Sequence, residues 1–197
     1  MGAVIMLGYF VYAVLTLVLM GVGAFIAKRI GKPAWQGSLA VFLMSFLFVF
    51  WDAVPTLATH KYLCVTDYGF REFKSLEQWK AENPGVAETL VVIEKDNYEK
   101  RGKIEVMHLN KRFDWQRETE SILLSVQRVT ERIVDSATGD VLAEYVDIES
   151  GQSVAHPKAG FLAFRFWLYR PACHPNRPLP ERGAFSELWT SVMRIGE

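Results

Sequence analysis

Charge is what the first 59 residues lack. Only Lys28, Arg29, Lys32 and Asp52 are charged there, leaving 19 of the 22 basic and 21 of the 22 acidic groups to the other 138 residues. The chain-wide average, 50% hydrophobic with zero net charge, therefore describes neither part, and the two regions are built for two solvents. Cysteine is scarce too. Cys64 and Cys173 are the only two, in no CxxC pair and no CxxCH, so covalent haem is not expected. GxSxG and HExxH are missing, and the GK at 31–32 lacks Walker spacing. The turn DSATGD lacks the acidic ladder of a calcium loop, and no basic stripe suggests nucleic acid. No internal repeat or low-complexity linker stands out. These absences favour a protein that is not an enzyme and carries no cofactor.

What is present begins with two apolar runs. Residues 3–27 carry no charge and are long enough as a helix, at about 1.5 Å per residue, to cross a hydrocarbon core of roughly 30 Å. Residues 33–51 form a second run bounded by Trp35 and Trp51, the residue type that favours the headgroup zone. No Lys or Arg precedes position 28, so the first run does not read as a cleaved signal peptide. The expectation is a transmembrane hairpin over 1–59, with spans at about 3–27 and 33–51. Its loop, 28–32, carries Lys28, Arg29 and Lys32 and faces the cytoplasm. Both termini are then periplasmic in a bacterium, and the cytoplasmic loop is too short to fold. Asp52 falls just outside the second span, and Pro55 should kink or end that helix. An ion or proton site at Asp52 is the functional alternative.

Residues 60–197 are expected to form one mainly antiparallel α+β domain with short helices. Ser75 and Gln78 have capping-box spacing ahead of Trp79, and Asn83-Pro84-Gly85 is a stop. Residues 104–109 alternate, and residues 128–148 form two β-branched runs around a turn with Gly139, a hairpin. Pairing Asp135 with Asp140 would set Ile133 opposite Leu142, Val129 opposite Val146 and Glu131 opposite Glu144, whereas a one-residue slip would separate the two glutamates. The run GFLAFRFWLYR at 160–170 reads as a central strand whose second face, Phe161, Ala163, Trp167 and Tyr169, needs cover. Phe185, Leu188, Trp189 and Val192 follow i, i+3, i+4, i+7, so residues 184–194 should be an amphipathic helix. Its apolar face needs cover, first from its own sheet, with the bilayer interface or another subunit as alternatives; the same four residues are the candidate partner-binding surface.

On the outer side Cys64 and Cys173 would form a disulfide closing a loop of about 110 residues. Free thiols are one alternative. Another is a metal site of His60, Cys64, Cys173 and His174, though HxxxC and CH lack paired zinc-ligand spacing. His108 and His156 read as ordinary strand and loop residues.

HKYLC at 60–64, FKSLEQWKAENPGV at 73–86 and RIVDSATGDVLAEYVD at 132–147 resemble an uncharacterised family of small proteobacterial membrane-anchored proteins. The resemblance spans the second apolar run and most of the outer domain, and implies a bacterial inner-membrane address. The stretch from Pro175 onward lies outside its pattern. The combined expectation is a non-enzymatic accessory subunit of an inner-membrane assembly, whose partners are the bilayer and other inner-membrane or periplasmic subunits. A periplasmic ligand-binding or sensing module, with a pocket lined by Tyr145, Trp167 and Tyr169, is the rival, and a metal-dependent periplasmic enzyme is a more distant one.

Overall fold

The computed structural model describes residues 2–93, 98–151, 165–173 and 180–196. The chain divides into two compact units, residues 1–58 with 151–169 and residues 59–150 with 170–197. A boundary near residue 59 was expected; the assignment of 151–169 to the first unit was not.

The first unit is built on two apolar helices, α1 (Gly2–Arg29) and α2 (Ala34–Phe50), linked by a turn in which Gly31 has φ +74°. Helix α1 is long and apolar enough to cross a membrane. Only 6% of its most apolar window is buried, which separates it from the core helix of a water-soluble domain. The helices meet where side chains are smallest. A Cβ on Gly37 would lie 2.0 Å from the Gly23 carbonyl oxygen, and one on Gly23 would lie 2.7 Å from that of Gly37. Two hydrogen bonds set the register: Tyr12 Oη donates to the Ser45 carbonyl (3.0 Å) and Ser38 Oγ to that of Met20 (3.1 Å). Small residues that let backbones touch, with hydroxyls bonding across, are how helices pair where apolar side chains gain nothing by association.

The chain does not leave α2 in an extended form. After a turn at Trp51 and Asp52 it resumes as α3 (Ala53–Thr66), bent by 46° from α2. The Asp52 carbonyl accepts the first helical bond, from Thr56 N. Pro55 thus lies in a first helical turn, where the N–H it lacks would be unbonded anyway. The expected break in the helix is there, as a 46° bend, but Pro55 sits just after it, at the start of α3, and α3 itself was not anticipated.

The second unit is a six-stranded antiparallel sheet with helices. Its strands are β1 (Gly69–Glu72), β2 (Tyr98–Arg101), β3 (Ile104–His108), β4 (Phe113–Leu123), β5 (Val126–Asp135) and β6 (Val141–Ser150), in the order β1-β6-β5-β4-β3-β2. The expected hairpin is β5–β6. Asp135 N donates to the Asp140 carbonyl (2.9 Å), and Gly139 has φ +79°. An irregularity then shifts the register, because Val134 opposes Val141 while Ile133 opposes Ala143. Glu131 therefore faces Tyr145, and Arg132 faces Glu144, so the two glutamates lie on opposite faces of the sheet. The carboxylate pair of the bulge-free register does not exist.

Helix α4 (Leu76–Glu82) has the full capping box, with Ser75 Oγ accepting from Gln78 N and Gln78 Oε1 accepting from Ser75 N. It delivers Trp79 to a core that also contains Phe113, Ile133, Leu142, Tyr145, Phe185 and Val192. At its floor Asp135, 1% exposed, accepts from Trp79 Nε1 (2.8 Å), lies 2.6 Å from Arg112 Nε and caps the β5–β6 turn through Ala137 N (3.0 Å). Burial pushes this carboxyl upward, but those donors outweigh it and hold it below the ordinary range.

Helix α5 (Pro180–Met193) starts four residues earlier than expected, with Pro180 at its first position. Of the three covers left open for its apolar face, these four residues use their own domain: Phe185 and Val192 are buried, and Leu188 and Trp189 pack half-buried on the same core. The strand expected at 160–170 is corrected over its described part. Phe166–Leu168 is a 3-10 turn, and only Arg170 pairs with the sheet, through Ser150. β6 already has β1 and β5 as neighbours, so no central slot is left. Phe161, Ala163 and His156 lie outside the described residues.

The glycine contact predicts a matched pair of outcomes. Gly37→Val should lower the thermal midpoint of the detergent-solubilised protein by the equivalent of about 1–3 kcal/mol. Gly21→Val, where an added Cβ meets nothing within 4 Å, should leave it nearly unchanged.

Candidate functional site

Cys64 and Cys173 are joined by a disulfide, S–S 2.08 Å, across 109 positions of sequence. Their side chains pack with Leu63, Val126, Val146 and Ile148, a second apolar cluster. His60, one turn before Cys64 on α3, is 7% exposed. Its Nε2 lies 3.0 Å from the Ile148 carbonyl oxygen, so the proton belongs on Nε2. That leaves Nδ1, 3.7 Å from Cys64 Sγ, unprotonated. Burial pushes the imidazole below its ordinary pKa, more than the bond to Ile148 raises it. The metal alternative needs both sulfurs as thiolates, whereas here both are spent in the disulfide. His174 lies outside the described residues, which contain no metal-binding cluster.

Asp52 has partners that the sequence did not announce. It is 1% exposed, so it does not face solvent from the end of α2, and it is paired. Within the first unit Arg165 Nη1 donates to Oδ2 (2.9 Å), and Trp167 Nε1 donates to Oδ1 (3.3 Å). The Trp167 ring packs on Phe50 (4.5 Å between centroids) and edge-on to Tyr9 (6.3 Å), an aromatic surround. An unpaired acid would suit an ion or proton path; this one holds the 165–169 segment to the helices. Trp35 and Trp51 are exposed, as are Lys28, Arg29 and Lys32, and the Arg29 guanidinium lies over the Phe25 ring at 5.1 Å. Trp167 and Tyr169 belong to the first unit and Tyr145 to the second, so the expected three-residue pocket is not one described site.

The second unit has a different cleft, missed in the sequence. Between α5 and the sheet, Met107, Trp115, Glu131, Arg182, Phe185 and Trp189 enclose a cavity of about 250 Å³. Glu131, 7% exposed, accepts from Trp115 Nε1 (3.1 Å) through Oε2 and pairs with Arg182 Nη1 (2.8 Å) through Oε1. The Arg182 guanidinium lies over the rings of Tyr145 (5.0 Å) and Phe185 (5.8 Å). The signal for Glu131 was an acid inside a β-branched strand. Nothing in the periodicity pointed to Trp115 or Met107.

The opposite face of the sheet carries a network of opposite charges. Arg128 bonds Asp67 and lies 3.3 Å from Glu120, while Arg132 bonds Glu144 (2.9 Å) and Glu118 (3.2 Å). With Arg71 beside Glu144, three cations face four acids, so this face is nearly balanced and slightly acidic.

No family model, curated protein or solved structure matches the chain.

Two outcomes follow. The unfolded chain binds a proton on His60 near pH 6.5, before the folded chain does, so this residue's stabilising effect is complete above that pH and is lost as pH falls below it. Denaturation midpoints should drop between pH 7.5 and 5.5, and His60→Gln, which keeps an amide donor for Ile148, should flatten the drop. Asp52→Asn should cost about 1–2 kcal/mol, discounted because Arg165 is partly exposed. Adding Arg165→Gln should recover part of that loss in a double-mutant cycle read by thermal unfolding.

Proposed function

We propose that the protein is a non-enzymatic accessory subunit of a bacterial inner-membrane assembly. A two-span hairpin, α1 and α2, sits in the bilayer with Lys28, Arg29 and Lys32 on the cytoplasmic side, and the disulfide-closed α+β domain stands in the periplasm to engage other subunits. The observation that carries this reading is the exposed apolar surface of both helices around the Gly23–Gly37 contact. Lipid or neighbouring transmembrane helices would cover that surface; water would not. The Cys64–Cys173 bridge supports an oxidising compartment, since such bonds persist outside the cytoplasm. The cationic loop supports the orientation. At about 26 Å, α2 alone is a little short of the bilayer core, and the exposed Trp35 and Trp51 at its ends suit the two interfaces. The resemblance of residues 60–64, 73–86 and 132–147 to proteobacterial membrane-anchored proteins favours the same address.

Reporter fusions test the arrangement. A reporter active only in the periplasm should work after Glu197 and fail when inserted at Gly31. A cytosol-only reporter working at the C-terminus would overturn both the orientation and the periplasmic role. For the assembly itself, native electrophoresis after mild solubilisation should place the chain in a complex larger than a monomer in its micelle, and recovery solely as that monomer would remove the accessory reading.

A further inference from the structure

We propose that the cleft between α5 and the sheet binds a small organic cation bearing a quaternary or fully methylated ammonium group. The site pairs one buried carboxylate, Glu131, with walls of aromatic rings and a thioether, Trp115, Trp189, Phe185 and Met107. A carboxylate in such walls favours positive charge, which here is met by Arg182, and aromatic rings add a second attraction for a cation that takes the guanidinium's place. Arg182 already uses this chemistry: its guanidinium takes Glu131 Oε1 and the faces of Tyr145 and Phe185.

Size and hydration narrow the class. At about 250 Å³ the cavity holds roughly eight waters' worth of volume, below the range for drug-sized ligands. A primary ammonium would forfeit strong hydrogen bonds to water that rings and a thioether cannot replace, whereas a methylated one has little to forfeit. Choline is the simplest probe of that chemistry. Free choline and a choline lipid headgroup share it. Because Arg182 holds the same carboxylate, it competes with the ligand.

The test uses the full chain in an alkyl maltoside, which has no choline headgroup, with tryptophan emission or calorimetry as the readout. Choline chloride should give a saturable change absent with sodium chloride. Its uncharged isostere 3,3-dimethylbutanol should bind at least about tenfold more weakly. Glu131→Gln and Trp189→Leu should each weaken choline binding about tenfold, and Arg182→Gln should strengthen it. Trp189 is half-buried, so its variant remains informative should Glu131→Gln fail to fold. In nanodiscs, loss of the added-choline signal with phosphatidylcholine but not with phosphatidylglycerol identifies the headgroup as the source, and an equal signal in both identifies free choline. No saturation up to about 100 mM choline, far weaker than ordinary small-ligand affinities, would overturn the inference. So would equal binding of the isostere, or unchanged binding in Trp189→Leu. Cleft and membrane anchor are read separately, since binding is measured in solubilised protein and orientation in cells.

Discussion

The outward surface of α1 sets the terms for everything else. Thirteen of its large apolar side chains, from Val4 to Ile26, are exposed among the described residues. Their exposures run from 42% to 72%, so against about 1.5–3 kcal/mol for fully burying one such side chain they forgo in total on the order of 10–20 kcal/mol, as much as the roughly 5–15 kcal/mol by which a domain is stable. Such a surface is costly to leave in water, and the contact between the two helices differs from that of a soluble core. Gly23 and Gly37 bring backbones together and hydroxyls bond across, while the bulky residues point away from the partner helix. In water the bulky residues would be inside and the glycines outside.

The second unit follows the opposite logic, with water outside and a polar anchor inside. Asp135 joins three separate elements: Trp79 from α4, Arg112 before β4, and the turn between β5 and β6. Each partner satisfies a different part of one carboxylate, which is what makes a charge at 1% exposure tolerable. The same residue accepts from the indole that α4 delivers to the core. Helix capping, aromatic packing and turn geometry thus agree on a single arrangement, and such agreement across levels marks a sequence that specifies one fold.

The parts legible in the sequence were those whose signal is local. The capping box at Ser75, the hairpin around Gly139 and the amphipathic spacing of Phe185 to Val192 depend on residues within a few positions, and the structure follows them. The unanticipated parts depend on partners distant in sequence. The β5–β6 register turns on one irregularity near Val134, which moves Glu144 to the other face from Glu131. The 160–170 run was read as a strand because apolar density alone does not distinguish a strand from a segment seated on other aromatics. Trp167 packs on Phe50 and Tyr9, and its indole bonds Asp52, 115 positions away. For the same reason the pairing of Asp52 was not foreseen, since nothing near it in sequence announces Arg165.

The cleft shows how a boundary error hides chemistry. A helix beginning at residue 184 leaves Arg182 in a connecting loop with no defined direction. Starting the helix at Pro180 puts Arg182 in the first turn, one position short of a full turn from Phe185, on the same face. Only then can its guanidinium cross the Tyr145 and Phe185 rings and reach Glu131, which the irregularity on β6 sets opposite Tyr145 instead of Glu144. Neither feature alone makes the site: with the regular register Glu131 would face Glu144, and with a later helix start its cationic partner would be elsewhere. Proline at the first helical position, a local signal for where α5 begins, is the one mark in the sequence that could have exposed the arrangement.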